Sequence, residues 1–248
     1  MELIRNITKM GNSSHVVLPK EWLNGKAKIE LIEKPTNINE DVLRILSPYL
    51  KDILGIYLVG SYARGEETDR SDIDILIITD NLDKRIKEGK YELTLVSESN
   101  LDKSLKRNIL PLLPMIMEAK AIMNKELIEK YKNTKINKKN TGWIIDLTKS
   151  SRKICKIAIE ISKEDNKNIS DGIVYSLILG LRTIYIINCL KNKKNPTKKG
   201  LMKLLIDVVN TENLYDAYLR SKNNQPDKES TSPEIAEKLN NYLINKLK

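Results

Sequence analysis

Two apolar runs, ILGIYLVG at 53–60 and DIDILIIT at 72–79, constrain this chain more than any other feature. Each is short, bounded by turn residues and almost without polar interruption, which predicts strands buried on both faces. A third run, YELTLVS at 91–97, alternates. It places Glu92, Thr94 and Val96 on one face, and Leu93 and Leu95 on the other. NEDVLRILSPYLKD before the first run reads as a helix capped at Asn39. The stretch 39–130 therefore has an α/β rhythm, ending in helical turns interrupted by two prolines.

Between the first two strands lies Gly60-Ser61-Tyr62-Ala63-Arg64-Gly65, and Ser71-Asp72-Ile73-Asp74 then enters the second. A glycine at a strand exit permits close backbone approach, and free N–H groups with a hydroxyl can cradle phosphate oxygens. Asp72 and Asp74, two apart on a strand, point from one face, while Ile73 and Ile75 point into the core. Adjacent carboxylates repel unless a cation lies between them, and all-oxygen ligands favour Mg²⁺ or Mn²⁺. A phosphate cradle beside such a pair suits phosphoryl or nucleotidyl transfer. Arg64 either steadies a triphosphate or pairs with Glu66 or Asp69. Ser71 reads as a turn residue.

GSYARGEETDRSDIDILI resembles the signature of the DNA polymerase β-like nucleotidyltransferases, closest to the minimal and antibiotic-modifying members, over residues 40–120. The resemblance implies transfer of NMP from an NTP to a hydroxyl acceptor, which is a small molecule, a protein or RNA. It also implies a third carboxylate on a neighbouring strand. The candidate is Glu92, although it is Glu rather than Asp and lies only eighteen positions after Asp74. The expected catalytic and metal-binding set is Asp72, Asp74 and Glu92, with nucleotide held by Gly60, Ser61 and Arg64.

Residues 1–35 read as short strands around GNSS, too few to close a core alone, so this piece dimerises or docks. ITKMGNSSHVVLPKEWL resembles the AbrB/MazE-like swapped-hairpin transcription factors, whose chains interlace as dimers on DNA. By that resemblance Val16 to Leu18 form the interlocked strand, and Arg5, Lys9 and Lys20 face phosphates. The stretch after Trp22 is shorter than that family's pattern. The alternatives are a DNA-binding module and a hairpin that only dimerises the enzyme. His15, the single histidine, reads as a packing residue.

A Lys/Asn tract, YKNTKINKKNTG, reads as a solvated linker, followed by about four helices and a polar mobile stretch, RSKNNQPDKESTS. GLRTIYIINCLKNKKNPTKKGLMKLL faintly resembles the HEPN-type helical domains. Residues 16–248 hold no histidine for their Arg-x₄₋₆-His motif, so a nuclease of that kind is not expected. The net charge of +10 is concentrated at 141–248, which carries +7, within a general enrichment of Lys, Asn and Ile. Cys155 and Cys189 sit in helical patterns, so neither a disulfide framework nor a zinc site is expected. No run approaches a membrane span and no signal peptide is recognisable, which predicts a cytoplasmic protein with no membrane partner.

The expected class is α+β: a swapped-hairpin β domain at 1–35, a small mixed-sheet nucleotidyltransferase core at 36–130, and a linker with a helical bundle at 131–248. A second function remains open beside the enzyme, a DNA-binding regulator or antitoxin whose transferase domain senses nucleotides.

Overall fold

The computed structural model describes residues 3–30, 37–69 and 71–247, and the chain gathers into two compact units, 1–42 and 43–248. The expected boundary at Pro35 lies outside the described residues, as do Leu31 and Ile32 of the expected strand KIELI.

In the first unit β1 (Thr8–Met10) pairs antiparallel with β2 (Ser13–His15) across a turn at Gly11. Val16 to Leu18, expected to continue as a strand, carry no regular structure, and Lys20–Trp22 form a single 3₁₀ turn. Ile4, Met10, Val17, Leu23 and Ile29 are all more than 60% exposed. Two three-residue strands cannot cover so much apolar surface, so a single copy builds no core here.

The second unit begins within α1 (Ile38–Leu46), which Pro48 converts to a 3₁₀ turn at Ser47–Asp52. Five strands then form one mixed sheet. They are β3 (Ile53–Val59), β4 (Ile73–Thr79), β5 (Lys84–Glu88), β6 (Tyr91–Ser97) and β7 (Lys120–Met123), in the order β5-β6-β4-β3-β7. The β4–β6 pair is parallel and the other pairs are antiparallel. Central β4 is buried throughout except at Asp74, as its unbroken apolar run requires. Two strands escaped the sequence pattern. KRIKE forms edge strand β5, where charged residues keep the exposed ladder from pairing with other chains. KAIM, hidden behind the proline-interrupted turns, forms the opposite edge.

Helices α2 (Gly60–Arg64), α3 (Glu98–Arg107), α4 (Leu113–Glu118) and α5 (Lys125–Lys132) surround the sheet. The bundle comprises α6 (Lys138–Glu164), α7 (Asp171–Lys191), α8 (Lys198–Val209), α9 (Asn213–Lys222) and α10 (Pro233–Lys246). The Lys/Asn tract is no solvated linker. It contains the end of α5, with Tyr131 buried, and the start of α6, leaving only 133–137 between them. The polar stretch after α9 is also fastened: Ile169 bridges Thr231, Asp171 holds Arg220 through two oxygens, and Asp227 accepts the Asp171 N–H.

Helix α7 is long and apolar enough by composition to cross a membrane, with a mean hydropathy of 1.8, closer to a span than its sequence suggested. Val174, Leu177, Ile178 and Leu181 on it are buried in the centre of the bundle, the pattern of a core helix. Leu190 at its end joins the core beneath the sheet.

One buried side chain ties bundle to sheet layer. Asn140 completes the capping box of α6 with Asn137, and its amide also donates to the carbonyls of Leu105 and Lys135. Asn140→Ala leaves these groups without partners in a buried place and should cost about 2–3 kcal/mol. Urea denaturation of the purified chain measures this as a lower midpoint with unchanged slope.

Candidate active site

The polypeptide leaves β3 at Val59 and turns at Gly60, whose φ is +72°. A Cβ at this position would overlap the Asp74 carboxylate, so glycine is required on two counts. Helix α2 ends at Gly65, also left-handed. Ser71 closes the loop before β4: its N–H donates to the Thr68 carbonyl and its Oγ accepts the Thr68 N–H at 2.9 Å. It is the turn residue expected.

Sheet register then aligns the chemistry. Val59 stands opposite Asp74, and Asp74 opposite Glu92, so the Gly60 turn and the two acids line up across β3, β4 and β6. Ile73 and Ile75 are fully buried, Asp74 is half-buried and Asp72 is exposed. Burial, then the negative charges of Glu92, Asp72 and Glu118, push the Asp74 carboxyl up from an ordinary 3.8 to about 6; Arg64 opposes this. At Asp74 burial and the acidic neighbours outweigh the opposing charge of Arg64.

Glu118 is the residue that sequence reasoning missed. Only 7% of its side chain is exposed, and it accepts from the Gly60 N–H at 2.7 Å and from Arg64 Nη1 at 2.5 Å. Burial pushes its carboxyl above the usual range, against the pull of Arg64 and the Gly60 N–H. Arg64 also donates to Glu66 at 2.8 Å, so the structure places it in a carboxylate clamp that braces the turn. Of the expected cradle, the Gly60 N–H is already engaged. Ser61 lies half-buried within α2. The one sequence clue to Glu118 is its place just before KAIM, a strand pattern masked by the prolines.

Glu92 accepts from Lys87 Nζ at 2.6 Å, an exposed pair and so a weak one. As the side chains stand, no three acidic, histidine or cysteine groups among the described residues gather around one point as a metal cage would. The donor set still suits a hard divalent cation. Asp72, Asp74 and Glu92 offer only carboxylate oxygens, and Glu92 already holds a cationic group that an ion would replace. Arg5, Lys9 and Lys20 are all exposed, Lys9 on β1 and Lys20 at the 3₁₀ turn.

A raised carboxyl pKa means that folding is favoured while Asp74 is protonated. That stability is fully present below about pH 4 and lost as the pH rises through about 6. Asp74→Asn should therefore stabilise the protein by about 1–3 kcal/mol at pH 8, and the gain should vanish near pH 4. Thermal melts at the two pH values check this.

A family model described as a nucleotidyltransferase domain matches residues 39–200, a span that includes every acidic residue of this cluster and runs into α8. A search among curated proteins finds no match. Two solved structures are similar at low identity. One is a nucleotidyltransferase-like protein from Exiguobacterium sibiricum, 17% identical, with 85% of this chain and 74% of that one covered and a TM-score of 0.37. The other is a spectinomycin adenyltransferase from Enterococcus faecialis, solved with ATP and spectinomycin. It is 15% identical, with 86% and 99% covered and a TM-score of 0.42.

Proposed function

The chain belongs to the nucleotidyltransferase domain family, and we propose that it moves a nucleoside monophosphate from an NTP to a hydroxyl acceptor at the Asp72–Asp74–Glu92 cluster. The observation that carries this reading is the register that sets Glu92 beside Asp74 and both beside the Gly60 turn. In the reaction the acceptor oxygen bonds to the α-phosphorus, the bond to the β-phosphate oxygen breaks, and pyrophosphate leaves. Bound Mg²⁺ or Mn²⁺ would neutralise phosphate charge and acidify the attacking hydroxyl. Asp72, Asp74 and Glu92 would hold such ions, with Glu92 exchanging its bond to Lys87 for the metal. Asp74, half-buried beside acidic neighbours, is the ligand with most to gain from a cation.

Gly60 and Ser61 would position the triphosphate at the end of β3. Arg64 spends its Nε and one Nη1 N–H on Glu66 and Glu118, so its remaining guanidinium N–H groups are the ones that would meet phosphate. One carboxylate of the cluster takes the proton from the acceptor hydroxyl. Small molecule, protein and RNA all remain as acceptors. Purified protein with Mg²⁺ and each α-labelled NTP in turn should transfer label to a lysate acceptor. Asp72→Ala/Asp74→Ala should lose transfer by about 100-fold or more. Persistent transfer in that variant would sink the assignment.

The first unit favours a second role beside catalysis. Its exposed apolar side chains leave it incomplete as a single copy, and Arg5, Lys9 and Lys20 are all in solvent. Both observations support a swapped-hairpin dimer on DNA, as domain 1–35 of a three-part chain that continues with the transferase at 36–130 and the bundle at 131–248. A gel shift on the DNA upstream of its own coding sequence should show binding that falls steeply with salt. Arg5→Ala/Lys9→Ala/Lys20→Ala should weaken it at every sequence tested. Absent or salt-insensitive binding leaves only the dimerising hairpin.

A further inference from the structure

Helix α6 has two distinct faces. One, with Thr148, Arg152, Cys155 and Ile159, is buried in the bundle. On the other, Trp143, Leu147, Ile154, Ile157 and Ile161 are 50–66% exposed. With Ser150 filling the one gap, these positions are spaced four, three, four, three and four residues apart. That is a 3.5-residue period over about 27 Å of helix, the seam one helix offers to another.

We propose that α6 pairs antiparallel with α6 of a second copy of this chain. The seam matches itself in that sense. Around a two-fold axis near position 152, Trp143 meets Ile161, Leu147 meets Ile157, and Ser150 meets Ile154 of the other copy. The outer Trp143–Ile161 and inner Ser150–Ile154 layers then join a larger side chain to a smaller one and Leu147 meets the isomeric Ile157, whereas parallel pairing would set Trp143 on Trp143 and Ser150 on Ser150. The five side chains expose on the order of 500 Å² per copy, more than scattered surface apolar residues account for. Two copies with their flanking residues reach the roughly 1,200–2,000 Å² of stable interfaces. Asp146, Lys153 and Glu160 border the seam. In this register Asp146 faces Glu160, and Lys153 faces its own copy, so added salt should tighten the pair rather than loosen it.

The test uses the full chain with Lys153→Cys in a Cys189→Ser background, treated with a short bis-maleimide; Cys155 is buried. The expected result is a covalent dimer through position 153, absent when Glu88→Cys on the far edge strand is used instead. Adding Ile154→Glu/Ile157→Glu should abolish the cross-link and weaken dimerisation in sedimentation at least about tenfold. At a protein concentration too low for pairing the melting midpoint should not change, because in a single copy both isoleucines lie in solvent. Three outcomes overturn the proposal: a monomer throughout, no cross-link at 153, or a cross-link that survives the double substitution. A dimer held only by the first unit gives the second of these.

Discussion

The close approach of Gly60 to Asp74 is the contact on which the rest of this site depends. A strand exit with no side chain lets a carboxylate occupy the space where a Cβ would stand. The same contact brings Asp74 into the middle of the sheet, between Val59 on one side and Glu92 on the other. Burial there raises the carboxyl, and the surrounding acids raise it further. Placing several acids together on a rigid sheet in this way costs electrostatic repulsion.

Glu118 adds a further negative charge to this cluster while it braces the turn. Its carboxylate holds both the Gly60 N–H and Arg64, so the turn is braced by a group 58 residues away in sequence. The helical bundle is anchored to the same layer through Asn140, so sheet, clamp and bundle belong to one compact unit.

Much of the core was legible because its signals are local. The runs at 53–59 and 73–79 became strands, and the alternation around Glu92 set it on the face predicted, in register with Asp74. Errors arose where local chemistry and tertiary context disagree. KRIKE looks like a loop by charge, yet forms a strand because an edge tolerates charge on both faces. The Lys/Asn tract looks like a linker, yet Tyr131 and Asn140 on either side of its centre are buried. In the N-terminal unit the expected strand at Val16 to Leu18 does not form, and the chain after His15 carries no regular structure until Lys20.

By itself the sequence determined which residue types meet at the turn: a glycine that tolerates positive φ, paired carboxylates two apart, and apolar neighbours that force them to one face. Those are properties of a few adjacent dihedral angles and side chains, so they are readable without the fold. Only the tertiary structure decided that Glu92 lies beside Asp74, that Glu118 already occupies the Gly60 N–H and Arg64, and that α6 keeps an apolar face in solvent. Each of these follows from strand register or helix packing between distant segments, and no local pattern encodes such pairings.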